Sequence, residues 1–225
     1  LYSNGKLGDV DASNLPELTT LWTYSSGNVK IINTTNTPKL KELNASSDGN
    51  LTGITGLQDN VELINFTAPF TKLTKLDFSN APKLRSVNLT NASVTEIKGL
   101  SAAGANLQSN THVGSLDVSN NPNLTKLDLY NVREMTTLDV THNPNLTYLR
   151  TTFLPLTTLD LSNNTKLVEL SIAHNKLSSF DIRHMPNLAK FYAGSQSPNG
   201  FLANITVTMT AAQKAKLEQV KPFLE

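Results

Sequence analysis

Apolar residues recur along this chain at a spacing that fits neither an amphipathic helix nor a long strand. From Leu124 they fall at Leu127, Leu129, Val132, Met135, Leu138 and Val140. From Leu167 they fall at Leu170, Ile172, Leu177, Phe180 and Ile182, with the polar Asn175 in the same frame. Leu170 and Ile172 alternate with Ser171 and Ala173, and Leu159 and Leu161 flank Asp160, so each group reads as a short strand with one face inward. Ser/Asn-rich turns separate the groups. The pattern predicts a unit of two short strands and two bends.

The unit repeats. LDVSNNPNL at Leu116–Leu124 returns as LDVTHNPNL at Leu138–Leu146, LDFSNAPKL at Leu76–Leu84 and FDIRHMPNL at Phe180–Leu188, with looser copies at Ile32–Leu40 and Leu159–Leu167. Its starts are about 21–22 residues apart, and LVELSIAHNKL contains the full L-x-x-L-x-L-x-x-N-x-L phrase, which together define a leucine-rich repeat. One coil cannot bury its own leucines, so each closes its neighbour's apolar face. The expected fold is β-rich within the α/β repeat class: a right-handed leucine-rich-repeat solenoid of about nine 21–22-residue coils with two short strands per coil.

Coil starts are expected near Leu18, Leu40, Glu62, Leu84, Ala102, Leu124, Leu146, Leu167 and Leu188. Val94–Ala105 is shorter than the period and reads as a local bulge or kink, with Gly99 and Gly104 supplying unusual backbone angles. Residues 1–225 read as one leucine-rich-repeat domain. Residues 1–17 form an N-terminal cap or half repeat, ordered from about residue 7. Residues 18–200 are the repeats and 201–225 the C-terminal cap. There Ile205, Val207 and Met209 alternate as a strand, Thr210 and Gln213 have capping-box spacing, and Pro222 stops the helix.

Composition narrows the function. With 38% hydrophobic residues the chain can fill a continuous core, and no apolar run reaches membrane-spanning length. A formal net charge of +1 gives no electrostatic case for nucleic acid. Cysteine is absent, which removes disulfides, thiolate metal sites and a cysteine nucleophile. Ten Asn-x-Ser/Thr triplets are present, several simply because the turn is spelled Pro-Asn-Leu-Thr.

The alternation of LxxLxLxxN with LDVSNNPNL resembles the bacterial leucine-rich-repeat proteins related to internalin J, above all the secreted or surface-anchored ones of Bacteroidetes, from about Leu7 to Ser197. The resemblance implies a location outside the cell or on the outer surface of a Gram-negative bacterium, with any lipid anchor outside this chain. Where internalin J stacks cysteines, the positions read as Ala45, Leu63, Leu89, Leu107, Leu129, Thr151 and Ile172. At the consensus asparagine, Asn110 and Asn175 comply, Asp48 is a partial match, and Phe66, Ala92, Val132 and Leu154 are apolar.

Chemistry is sparse. No HExxH, phosphate-binding glycine loop or G-x-S-x-G elbow occurs, so no catalytic residue, cofactor or metal is expected. His112, His142, His174 and His184 read as solvated turn residues. Asp77, Asp117, Asp139, Asp160 and Asp181 share one column, and the Ser and Thr two residues later would satisfy them locally. Calcium bridging is the functional alternative, although the column offers about one carboxylate per coil.

The inner strand is the expected ligand surface. Its outward positions carry Trp22, Tyr24, Asn88, Asp128, Tyr130, Tyr148, Arg150, Phe153, His174 and Tyr192, rich in the aromatic and arginine residues that dominate binding hot spots. The candidate ligand-binding residues are Tyr130, Tyr148, Arg150, Phe153 and Tyr192, on a concave face. Tyr130, Arg150 and Tyr192 are placed in the strands, Phe153 at the following bend and Tyr148 one step before its strand. Asn121 and Asn143 are placed on the opposite, convex face. The expectation is a monomeric, non-catalytic module holding a protein or glycan ligand. The alternatives are a spacer in a larger surface adhesin and the recognition domain of a larger enzyme.

Overall fold

The computed structural model describes residues 1–100, 104–110, 112–114, 116–119, 121–196 and 205–218. Nine parallel three-residue strands form one sheet, from Thr20–Trp22 to Lys190–Tyr192, so the chain makes eight turns between the first strand and the last. Their central residues stack in register. Leu21 pairs with Leu43, Leu43 with Phe66, Phe66 with Val87 and Val87 with Ala105. Leu127, Leu149, Leu170 and Phe191 follow. Leu43, Phe66, Leu127, Leu149 and Leu170 are wholly inaccessible to solvent, each contributing about 1.5–3 kcal/mol by leaving water. The protein is a leucine-rich-repeat solenoid.

The other half of each coil is less regular than expected. Second strands pair as Val10–Asp11 with Ile31–Asn33 and Gly53–Thr55, as Lys75–Asp77 with Glu96–Lys98, and as Ser179–Asp181 with Thr206–Thr208. Among the described residues between these groups, Leu116–Val118, Leu138–Val140 and Leu159–Leu161 form no assigned strand, although their apolar side chains still face the core. The turn holds there instead. Each Pro-containing bend closes with a bond from the last leucine, as from Leu124 to Asn121, Leu146 to Asn143 and Leu188 to Met185, and proline at the second turn position presets the backbone angle.

Two glycines mark departures from the period. Gly56, at φ 81°, would place a Cβ 2.2 Å from the backbone nitrogen of Thr35, and Gly99, at φ 61°, would place one 2.3 Å from Ser79. Only glycine fits such close, left-handed contacts. At both sites the following leucine, Leu57 or Leu100, supplies the buried apolar group. After Gly56 the chain adds a 3-10 turn over Leu57–Asp59, which lengthens the second coil. The expected start at Glu62 is thereby corrected to Leu63, which is buried while Glu62 is not. Phe66 becomes the core residue of its strand, Ala68 rather than Leu63 takes the inner-ladder position, and Thr71 rather than Phe66 takes the asparagine position. Gly104 produces no bulge, since Gly104–Asn106 pairs on both sides. The expected start at Ala102 lies outside the described residues.

Buried polar side chains plug both bends. Asn110 Nδ2 donates to the carbonyls of Leu89 and Leu107 at 2.6 and 3.0 Å, and Asn175 Nδ2 to those of Thr151 and Ile172 at 2.7 and 2.9 Å. Gln196 does the same for Ile172 and Ala193. In the Pro bend, Asn143 Nδ2 donates to Val118 and Asn121, and Asn164 Nδ2 to Val140 and Asn143. Asn121 and Asn143 are therefore fully buried and not convex-face residues: backbone carbonyls turned into a bend need donors, and water cannot reach them.

The ends differ. At the front, Tyr2 stacks on Tyr24 with ring centroids 4.9 Å apart, and the Ser3 nitrogen donates to the Tyr24 carbonyl, so repeat-type pairing starts before residue 7. At the back, Thr206–Thr208 leads into the helix Ala211–Glu218, opened by the expected capping box: Thr210 N donates to Gln213 Oε1 and Gln213 N to Thr210 Oγ1. Pro222 lies outside the described residues. No helix among the described residues is long and apolar enough to cross a membrane.

Candidate functional site

Strand alternation decides what the sheet presents. In Tyr148–Arg150, Leu149 enters the core while Tyr148 and Arg150 stand on the outer face, opposite Lys126 and Asp128 of the preceding coil. Tyr148 is thus the first residue of its strand and not the residue before it. Tyr130 lies beyond the end of Lys126–Asp128 instead of within the strand. The next coil offers Glu169 and Ser171, and the coil after that Lys190 and Tyr192.

Four of the five expected residues meet. The Arg150 guanidinium lies over the Tyr130 ring, 4.1 Å from its centroid. Tyr130 packs edge-on against Phe153 at 5.5 Å and 86°, and Phe153 stacks on His174 at 4.1 Å and 9°. Tyr148 donates to Asp128 Oδ2 at 3.3 Å, and Lys126 Nζ sits 4.8 Å above the Tyr148 ring. Tyr192 occupies the row of Arg150 but two strands away, with Ser171 between them. It is half-buried and stands apart from the cluster.

The centre of the cluster is Asp128, expected on the surface and found only 4% exposed. Its Oδ1 accepts from the Tyr130 nitrogen at 3.1 Å, and its Oδ2 accepts from Gln108 Nε2 at 2.8 Å as well as from Tyr148. Burial, followed by the neighbouring Asp128 charge, pushes the Tyr148 hydroxyl up to about 12. Tyr148 therefore remains a donor at any ordinary pH. The buried carboxylate thus ties together three consecutive coils and fixes the aromatic groups above it. Gln108, Asp128 and His174 complete the site beyond the five expected residues; spacing already set Asp128 and His174 on this surface, and only the cross-coil register identifies Gln108.

Phe153 and His174 carry a backbone signature. One residue per coil after the main strand takes a left-handed φ, and most are small or polar: Ser3, Ser25, Ser47, Asn91, Ser109, Asn131 and Ser195. Phe70, Phe153 and His174 occupy the same position at φ 58°, 63° and 55°. Left-handed backbone is unfavourable for a bulky side chain. Phe153 nevertheless remains 38% exposed.

The acidic column is locally satisfied. The backbone nitrogens of Ser79, Ser119, Thr141, Ser162 and Arg183 donate to Asp77, Asp117, Asp139, Asp160 and Asp181 at 2.9 Å. These bonds, with those from the same residues' side chains, hold the carboxyls below their usual range, and the Arg183 side chain takes Asp181 to about 2. Among the described residues no group of three or more His, Asp or Glu could hold a metal ion.

The fold and this face define a leucine-rich-repeat solenoid carrying an aromatic and arginine cluster on its nine-stranded sheet. No family model and no curated protein matches the chain. Solved structures similar to it include an internalin, InlF, of Listeria monocytogenes, with 16% identity over 90% of this chain and 72% of that one and a TM-score of 0.48. A leucine-rich-repeat protein of Leptospira interrogans has 14% identity over 89% and 72%, with a TM-score of 0.46. The functional domain of InlJ of Listeria monocytogenes, which includes a cysteine ladder, has 18% identity over 82% and 67%, with a TM-score of 0.38.

Proposed function

We propose that this protein is a non-catalytic, extracellular binding module that holds a protein or glycan ligand on the outer face of its nine-stranded sheet. The supporting observation is the cluster of Tyr130, Tyr148, Arg150 and Phe153, organised over the buried Asp128 and carrying an exposed aromatic ring on left-handed backbone. The repeat sets this angle in every coil, and the choice of a bulky, exposed ring there in place of serine or asparagine is what points to function. Aromatic and arginine side chains held in place before binding lose little entropy on contact.

The test is ligand capture by the wild-type chain and by the Arg150→Ala/Phe153→Ala double variant, on a glycan array and in pull-downs from surface-protein extracts. Loss of a wild-type partner in the double variant, with melting temperature nearly unchanged, supports the reading. A partner retained by the double variant places the binding surface elsewhere. A wild-type chain that captures nothing on either platform favours the second reading, a spacer within a larger surface protein.

A further inference from the structure

Resting on that reading of the surface, we infer that the group recognised at Arg150 is a carboxylate of an acidic peptide segment flanked by apolar side chains. The argument begins with what Arg150 lacks. Its guanidinium makes no hydrogen bond among the described residues; its one ionic contact is Nη1 to Asp128 Oδ2 at 3.7 Å, beyond hydrogen-bonding distance. Arg183 shows what a filled fork looks like in the same protein, with Nε 3.0 Å from Asp181 Oδ1 and Nη2 2.6 Å from Asp181 Oδ2.

Asp128 does not fill the fork: three bonds already occupy its two oxygens, and Arg150 comes no closer than 3.7 Å. Oδ1 takes the Tyr130 nitrogen, and Oδ2 takes Gln108 and Tyr148. The guanidinium instead sits over Tyr130, with Cζ 4.1 Å from the ring centroid and its side chain one-third exposed. Five N–H groups in a rigid fork then lack a planar anion to receive them, and a carboxylate is the matching shape. Local charge agrees. Glu169, beside Tyr148, is paired with Lys190 at 3.0 Å, whereas Lys126 lies over Tyr148 and joins no ion pair among the described residues.

The rings decide between peptide and sugar. A pyranose needs a free aromatic face to lie on. One face of Tyr130 carries Arg150, one face of Tyr148 carries Lys126, and one face of Phe153 stacks on His174, while Phe153 and Tyr130 meet edge to face. With one face of each ring taken, the open aromatic surface beside Arg150 is broken into small pieces, which suit separate aliphatic and aromatic side chains flanking an acidic residue better than one continuous sugar ring.

The probes are two capped pentapeptides, Gly-Phe-Glu-Phe-Gly and Gly-Phe-Gln-Phe-Gly, and a trimer of galacturonic acid, each titrated into the full chain by NMR. The expected result is a saturable shift of the Arg150 Nε–H signal with the Glu peptide and affinity about tenfold or more above the Gln peptide. Arg150→Lys, which keeps the charge and loses the fork, should weaken the Glu peptide about tenfold. Asp128→Asn should tighten it by removing the competing internal charge. Equal binding of the two peptides, no binding of either, indifference to Arg150→Lys, or tighter binding of the uronate trimer would each overturn the inference. The surface reading fails separately, when a captured partner is indifferent to the Arg150→Ala/Phe153→Ala double variant.

Discussion

Thr23 donates its hydroxyl hydrogen to Asp48 Oδ2 at 2.6 Å, across one coil and out of reach of solvent. The Ser26 nitrogen donates to the other carboxylate oxygen at 2.7 Å. Asp48 thus occupies the bend position that Asn110 and Asn175 fill in later coils, but as an ionisable group. Burial pushes its pKa up against the opposing pull of these two bonds. A carboxyl with a raised folded pKa favours the folded state most below the unfolded value, and this advantage fades as pH rises through the folded pKa. Asp48→Asn should therefore stabilise the protein at pH 7 by about 1 kcal/mol and change little near pH 3.5. Thermal unfolding of both proteins at the two pH values checks this; an equal shift at both would mean that titration of Asp48 is not the cause.

The outer aspartates carry the opposite sign. Hydrogen bonds to Ser79, Ser119, Thr141, Ser162 and Arg183 depress Asp77, Asp117, Asp139, Asp160 and Asp181. Their stabilisation is complete above the unfolded carboxyl value and is lost as pH falls through the lower folded values. Asn33 already makes the same turn, its Oδ1 accepting from the Thr35 nitrogen at 3.0 Å. Asp139→Asn should thus unfold like wild type at pH 7 and retain more of its stability in acid, whereas Asp139→Ala should be less stable than wild type at pH 7 and approach it in acid. Calcium added to wild type should leave the melting temperature unmoved; a rise reversed by chelator would show that the column binds the ion.

The Pro-bend ladder continues into the C-terminal helix. Gln213 Nε2 donates to the carbonyls of Ile182 and Met185 at 2.6 and 3.1 Å, the role that Asn164 plays for Val140 and Asn143. Met185 has no donor, and His184 Nε2 lies 3.0 Å from the Leu161 carbonyl in its place. Gln213→Leu would take one of two donors from each of these carbonyls, leaving those from Met185 N and Leu188 N, and dismantle the capping box, at a cost of about 1–3 kcal/mol. Hydrogen exchange should show the loss concentrated in the amides of Ser179–Asp181 and the helix. Uniform loss along the solenoid would argue against a local cap.

Most of the fold was legible because the leucine spacing is regular wherever coil length is constant. From Leu124 to Leu188 the expected starts coincide with the leucines that close each turn. The second coil was not legible: the 3-10 turn after Gly56 inserts a residue, and a slip of one residue exchanges core and surface. The missing second strands between Leu116 and Leu161 were hidden because their sequence alternates as well as that of the paired ones. At the candidate site, aromatic composition pointed to the coils in which Tyr130, Arg150 and Phe153 meet. Asp128 was misread because alternation alone places it outside, and only Tyr148, Arg150 and Gln108 from adjacent coils cover it.

Phe153 allows binding and stability to be separated. Its φ of 63° is one that asparagine adopts readily and phenylalanine resists, and Asn131 holds the same angle one coil earlier. The ring recovers part of that cost by stacking on His174 and meeting Tyr130, contacts worth about 0.5–1.5 kcal/mol each for aromatic pairs. Phe153→Asn removes both the strain and the stacking, so the two changes offset and the melting temperature should stay within a few degrees of wild type. Ligand capture should nonetheless fall at least about tenfold, because the exposed ring is gone. That combination, binding lost with stability kept, is expected only if the ring is retained for a partner. Unfolding at a much lower temperature would make Phe153 a structural residue and remove it from the binding surface.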